Sequence, residues 1–329
     1  MYTVRRTLRA PCAAPRNVAT AGLAALWLTA VVCTSAATPA PLPQADSPAP
    51  TTQAQDKRRD TVVVEGERAA LEHRVNEFVT SVTHVTSADA SSEQESLRRW
   101  TEPVCPLVAG LGKEQGEFVL ARISAVAREA HVPLGPEKCG ANFYIVVTQH
   151  PETLIQDWTK HDRRAFGDYS VSQTSSFAGN ERPIRAWYNV GLKSHDGTPL
   201  FSGSPFSLDG AMRGQTNFHA TDSRMTFSDV KVLASVLVVV DAKHVTGLQY
   251  GQMADYIAML GLAELNPNAD LGSAPSILQL FAARGADQPV PAGLTTWDHG
   301  FLNGLYSTTQ ASTMQRAAIT RVIVSAVDH

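Results

Sequence analysis

Two acidic residues in the segment GQMADYIAMLGLAEL, residues 251–265, could do acid/base chemistry, because neighbouring carboxyl groups can donate and accept protons in turn. They are Asp255 and Glu264. Apolar residues recur through this segment at helical spacing, which predicts a buried helix. The two carboxylates would then lie across the predicted end of that helix. Solvated surface side chains are the competing interpretation of both residues.

A line of small residues runs beside the apolar stripe of this predicted helix. In zinc peptidases of the metzincin type, the active-site helix carries HExxHxxGxxH, because histidines four residues apart share one helical face. The segment resembles that helix: Gly261 matches the glycine, and Ala254 and Ala258 stand where the two histidines would be. The resemblance places Asp255 at the glutamate base and Glu264 at the third ligand.

Two later segments extend the resemblance. GSAPSILQLF, residues 272–281, resembles the turn beneath the metal of metzincins, with Leu278 in place of the usual methionine. LTTWDHGFLNGLYS, residues 294–307, resembles the closing helix of matrixin-type proteases. Thr295 is also predicted to be the N-cap of that helix, with Asp298 as the capping-box acid three residues later. Helix capping therefore accounts for these two residues without catalysis.

The chain is also similar to a group of exported bacterial proteins of unknown function, through the phrases RRWTEPVCP, CGANFYIVV, QMADYIAMLGLAEL and LTTWDHGFLNGLY. The similarity implies an exported protein with a zincin-like core that lacks the zinc-binding histidines. Alanine supplies no ligand and Glu264 alone cannot hold zinc, so we predict no metal and no cofactor. The leading hypothesis is a non-catalytic binding or structural module, whose partner is a protein, a peptide or another ligand of the cell envelope.

A hydrolase is the alternative function, in the form of a metal-dependent peptidase with non-standard ligands. His219, His244 or His299 would join Glu264 in binding the metal. This hypothesis requires two histidines to converge near Glu264 in the folded protein. It is kept open at this point.

Four aromatic residues raise a separate question about ligand binding. Trp158, Tyr169, Trp187 and Tyr188 could line a groove, or they could pack in the core as aromatic residues near strands commonly do. The sequence leaves both interpretations open.

The N-terminus has the order of a secretory signal peptide: four arginines, an apolar run from Ala21 to Val32, and then small residues. We therefore predict a signal peptide over residues 1–37 and export to the periplasm or the medium. A retained membrane anchor is the alternative, although the apolar run is short for a span of about 20 residues. After cleavage we expect no stable membrane span.

Composition divides the mature chain into two parts. Residues 38–60 are rich in Pro, Ala and Thr and are predicted to form a disordered tether, and residues 61–329 to form one globular domain. Lysine and arginine total 28, with four in the signal peptide, against 31 acidic residues, so the mature chain carries about −7 charges. This acidic balance argues against nucleic acid as a partner.

The predicted fold class is α/β with α+β character: a metzincin-like mixed sheet packed on helices. Its clearest unit is a strand over 100–111, a helix over 113–130 and a strand over 141–149. Signal cleavage leaves two cysteines, Cys105 and Cys139, and an exported chain favours a disulfide between them. A redox or metal-binding thiol pair is the alternative. The disulfide would connect the entrances of the two strands.

The sequence pattern predicts four further features. A short strand is predicted at TVVVEG, 61–66, before a packing helix over 67–82. A hairpin over 182–203 is predicted to turn at Asp196-Gly197, which tolerate the positive φ of a type I′ turn. The most apolar strand is predicted over 231–242.

Overall fold

Four strands form one mixed sheet among the residues that the structure describes. The computed structural model describes residues 52–83, 97–161, 163–167, 170–194, 229–286, 288–308 and 312–328. Its strands are β1 (Pro106–Ala109), β2 (Phe143–Thr148), β3 (Ile184–Ser194) and β4 (Asp229–Asp241). Their order in the sheet is β1-β2-β4-β3, with β1, β2 and β4 parallel and β3 antiparallel to β4. The fold is therefore α/β with a mixed sheet, as predicted.

Eight α-helices lie in the described part of the chain. They are α1 (Thr52–Thr83), α2 (Lys113–Glu129), α3 (Pro151–His161), α4 (Val171–Ala178), α5 (Tyr250–Leu262), α6 (Leu280–Gly285), α7 (Thr296–Ser307) and α8 (Ser312–Val327). None of these helices is long and apolar enough to cross a membrane.

The interior strand β4 separates two hydrophobic cores. Residues 236–240 have no exposed surface, and Val236, Val238 and Val240 face the larger core with α1, α2, α5, α7 and α8. Leu237 and Val239 face a smaller core with α3 and α4. A strand buried on both faces reads as a continuous apolar run, which is why its sequence pattern was unambiguous.

The strand–helix–strand unit is confirmed. β1 and β2 pair in parallel, and α2 between them buries the predicted stripe of Val119, Ile123 and Val126. Cys105 and Cys139 form a disulfide with a Cα–Cα distance of 6.0 Å, just before the two strands. The predicted disulfide-linked βαβ unit is therefore present, although β1 is shorter than the strand predicted over 100–111.

The prediction of a strand at 61–66 is wrong, because these residues belong to α1. Their β-branched residues favour a strand locally. The helix is instead anchored through its C-terminal half, which buries Val75, Val79 and Val82 in the larger core. Residues 52–60, at the end of the predicted tether, are also helical. The rest of the tether and the signal peptide lie outside the described residues.

The first half of the predicted hairpin is β3, which pairs with β4 over its whole length. The predicted turn at Asp196-Gly197 and the return strand lie outside the described residues. A register shift between Asn189 and Val190 interrupts the β3–β4 ladder. The antiparallel partner of β3 is thus a distant strand, which sequence spacing did not indicate.

Candidate functional site

Asp255 lies in an ion pair between helices. On α5 it is 1% exposed, and Arg122 of α2 donates from Nε to Oδ1 at 2.6 Å and from Nη2 to Oδ2 at 2.9 Å. The backbone N–H of Leu294, before α7, donates to Oδ2 at 3.0 Å. The Asp255 carboxylate, which the sequence marked as an acid/base candidate, therefore joins three parts of the chain.

Glu264 is held by a different arginine. Arg98 Nη1 lies 2.7 Å from Glu264 Oε1, and the two side chains are 12% and 8% exposed. Both candidate acid/base residues are thus engaged in ion pairs with arginines from different segments. Each arginine fixes the position of its carboxylate and occupies at least one oxygen that acid/base chemistry would need.

The line of small residues on α5 is a packing surface. Ala254 and Ala258 have no exposed surface and belong to the larger core. A Cβ atom at Gly261 would lie 1.9 Å from Cζ of Phe143 on β2. The ring of Phe143 thus occupies the space that any larger residue would need. Close approach of helix and strand explains the glycine.

The C-terminal end of α5 is capped by aromatic side chains. The last four carbonyls of a helix lack partners within the helix. Three side chains donate hydrogen bonds to the last carbonyl groups of α5. Tyr188 Oη donates to Leu260 O at 2.9 Å, Trp100 Nε1 to Gly261 O at 2.8 Å, and Tyr306 Oη to Leu262 O at 2.5 Å. Burial raises the pKa of both tyrosines well above the usual range, so their hydroxyl groups remain donors.

The predicted N-cap of α7 is confirmed. Thr295 Oγ accepts from the N–H of Asp298, and the Asp298 carboxylate accepts from the N–H of Thr295 at 2.8 Å. Asp298 also accepts from Ser276 Oγ at 2.5 Å and from the N–H of Ile277 at 2.8 Å. The cap therefore also fixes the turn that precedes α6.

The histidines proposed as metal ligands pair with separate acids. His244 Nδ1 lies 2.9 Å from Asp241 Oδ2, in the turn after β4, and His299 Nδ1 lies 3.1 Å from Glu129 Oε1. His219 lies outside the described residues. Within the described ranges, no three His, Cys, Asp or Glu side chains converge on a common point.

A cleft of about 780 Å³ runs along the outer edge of β3. We call it the β3 cleft, and its lining includes Ile184, Ala186 and Tyr188 of β3, Tyr256 and Leu260 of α5, and Phe281 of α6. The rings of Tyr256 and Phe281 meet edge to face, with centroids 5.0 Å apart. Burial raises the pKa of Tyr256 to about 12, so its hydroxyl group stays protonated. Tyr256 and Leu260 thus face the cleft, whereas Ala254 and Ala258 are enclosed in the core.

The outer edge of β3 presents backbone hydrogen-bonding groups to this cleft. The N–H of Asp241 donates to Pro183 O at 2.8 Å, which sets the alternation of the antiparallel ladder. In such a ladder every second residue directs its N–H and C=O away from the partner strand. Ile184 and Ala186 therefore direct these groups away from β4; Ile184 is 1% exposed, whereas Ala186 is partly exposed. No other described strand pairs with this edge of β3.

Of the four aromatic residues considered for a groove, one lines the β3 cleft. Tyr188 does so, whereas Trp187 is buried in the smaller core and Trp158 packs against that core. Tyr169 lies outside the described residues. The cleft itself was missed, because its walls come from segments far apart in the chain.

No family model, no curated protein and no solved structure matches this chain.

Proposed function

We propose that this protein is an exported, non-catalytic binding module whose ligand is an extended polypeptide segment bound along the outer edge of β3. One observation carries the proposal: the outward-facing backbone groups of the partly exposed Ala186 border a cleft of about 780 Å³. That volume falls within the roughly 300–1,000 Å³ typical of ligand pockets.

An exposed sheet edge can accept a further strand from another chain. Backbone hydrogen bonds then supply affinity, and pockets for alternate side chains supply specificity. The β3 cleft offers both parts. Ala186, which is partly exposed, presents the backbone groups, and Leu260, Leu278 and Phe281 present apolar surface beside it.

We propose a non-catalytic module because the residues considered for catalysis are already bound by other side chains. Asp255 and Glu264 are each held by an arginine, and the side chains that α5 presents to the cleft are Tyr256 and Leu260. A phenol with a raised pKa and an aliphatic chain are poor zinc ligands. We keep the metzincin-like core with a degenerate zinc helix as part of the proposal.

The exported setting is supported by the signal-like N-terminus and by the disulfide. Disulfides form and persist in oxidising compartments such as the periplasm and the extracellular medium. Cys105 and Cys139 are bonded to each other, which suits either compartment. Export also places the β3 cleft among proteins and peptides of the cell envelope.

The proposal is tested by placing proline on the free edge. Ala186→Pro removes the outward N–H. It removes no ladder bond to β4, because that N–H points away from β4. Proline is tolerated at the solvent side of edge strands. The mature chain from Thr38 is applied to an array of octapeptides of varied sequence, each immobilised through its N-terminus. We expect binding of a subset, and at least a tenfold loss in the variant.

Ala186→Ser is the matched control, because it keeps the N–H and changes the side chain by one atom. Thermal unfolding of all three proteins shows whether the fold is intact. The proposal fails if the natural chain binds no octapeptide, or if a folded Ala186→Pro variant binds as well as Ala186→Ser. Near-stoichiometric zinc in the purified protein, measured by elemental mass spectrometry, would instead favour the metal-dependent peptidase.

A further inference from the structure

Two arginines line one end of the β3 cleft. Arg182 lies two residues before β3 and Arg185 is the second residue of β3, and neither forms an ion pair with any described residue. By contrast, Arg122 and Arg98 each hold a carboxylate within 2.7 Å. The cleft therefore ends in two positive charges that no described carboxylate contacts directly, although Asp241 and Glu152 act on Arg185 from a longer distance.

Arg185 is only partly satisfied by the protein. It is 5% exposed, and its Nη1 donates to carbonyl groups at the end of α4, with distances of 3.2 Å to Phe177 O and 2.9 Å to Ala178 O. Its Nε is buried and has no hydrogen-bond partner. Burial lowers the pKa of Arg185, yet a guanidinium remains charged at neutral pH. Asp241 and Glu152 oppose this effect only through longer-range attraction, so an anion in direct contact with the buried guanidinium would stabilise it further.

Arg182 and neighbouring amides add further donors at the same end. Arg182 Nη2 donates to Asn268 Oδ1 at 2.6 Å, which orients the guanidinium toward the loop that follows α5. Asn180 and Asn266 also line this region. Asp270 is the one acidic residue among the described residues that line the cleft. The charge of the lining therefore favours an anionic group.

The direction of β3 determines which end of a ligand strand would meet these arginines. An added strand antiparallel to β3 ends where β3 begins, so its C-terminus would lie near Arg182 and Arg185. A parallel strand would place its N-terminal ammonium group there, against two like charges. Antiparallel pairing is also slightly more stable per residue. Charge and strand direction thus select the same orientation.

We propose that the β3 cleft binds the free C-terminus of its polypeptide ligand, with the terminal carboxylate held by Arg182 and Arg185 and the ligand strand antiparallel to β3. This inference rests on the function proposed above, and it names the part of the ligand that is recognised. Arginine suits this role because its planar fork of donors matches a carboxylate.

The test compares two chemical forms of the same octapeptide array. Each octapeptide is immobilised through its N-terminus and carries either a free or an amidated C-terminus. We expect the natural protein to bind the free form at least tenfold more tightly. Arg182→Gln, which keeps hydrogen-bond donors but removes the charge, should abolish most of that preference. Arg321→Gln is the control, because Arg321 is an exposed residue of α8 outside the cleft lining.

Each other outcome overturns a defined part of the argument. Equal binding of both forms, with Ala186→Pro still weakening it, overturns the carboxylate inference and leaves the proposed function standing. Binding of neither form overturns both. An amidated array in which each octapeptide ends in glutamate addresses the source of the carboxylate. Restored binding there would show that a side-chain carboxylate suffices, and would overturn the assignment to the C-terminus.

Discussion

Arg122 and Asp255 are joined by two hydrogen bonds, of 2.6 and 2.9 Å, across the interface of α2 and α5. The Asp255 side chain is 2% exposed, whereas that of Arg122 is 43% exposed. The carboxylate is therefore enclosed and depends on the arginine for most of its compensation. Because Asp255 is the buried partner, losing Arg122 leaves a buried carboxylate with fewer donors and is the costlier loss.

Arg122→Met should lower the free energy of unfolding by about 3 kcal/mol, because it leaves the Asp255 carboxylate buried with fewer donors. Urea unfolding followed by far-ultraviolet circular dichroism measures the loss. Lys113→Met is the control on the same helix, since Lys113 and Glu117 are exposed and 3.9 Å apart. We expect a change within about 0.5 kcal/mol there. Similar losses in both variants would show that the Arg122 pair is not a stabilising contact.

Gly261→Ala should destabilise the protein by about 1–3 kcal/mol through overpacking, because the new Cβ would overlap the ring of Phe143. Gly251→Ala on the same helix meets no atom within 4 Å and should stabilise by about 0.5–1 kcal/mol. Adding Phe143→Leu to Gly261→Ala should recover part of the loss. Thermal melts of the three variants check the order, and a neutral Gly261→Ala would refute the close contact.

Removing the disulfide by Cys105→Ser with Cys139→Ser should lower stability by about 4 kcal/mol in the chain-entropy model. The bond closes a loop with a sequence separation of 34 residues. Urea unfolding of the double variant measures the loss, with thiol titration confirming that the natural protein has no free thiol at these positions. A difference below about 1 kcal/mol would show that the loop is constrained without the bond.

Asp298 should make stability depend on pH. It has no exposed surface, and burial raises its pKa above the usual value for aspartate, against the opposing effect of hydrogen bonds from Ser276, Thr295 and Ile277. The folded state thus keeps a proton that the unfolded state releases near pH 4 (~3.9 for a free aspartate). The contribution of this group is full below that pH and is lost as pH rises through the folded-state pKa.

The measurement compares urea unfolding of the natural protein with Asp298→Asn between acidic and neutral pH. The asparagine does not titrate, so the difference in stability between the two proteins isolates the carboxyl group. We expect the advantage of the natural protein to shrink as the pH rises. A difference that grows with pH would mean that the four donated hydrogen bonds outweigh burial and stabilise the ion.

Elements whose signals are local were predicted from the sequence. The stripe of α2, the apolar run of β4 and the cap formed by Thr295 and Asp298 each depend on residues within one turn or one strand. The pairing of Cys105 with Cys139 followed from the expectation that signal cleavage leaves two cysteines. The strand at 61–66 failed for the opposite reason, since distant packing of α1 outweighs its local propensity.

The sequence by itself determined the α/β class, the βαβ unit, the disulfide and the buried character of residues 250–262. Only the tertiary structure decided what Asp255 does, because its partner Arg122 is 133 residues away. The same holds for Gly261, whose space is occupied by Phe143, and for the β3 cleft. Periodicity reports which face of an element is buried, whereas contacts between distant segments depend on how the elements pack.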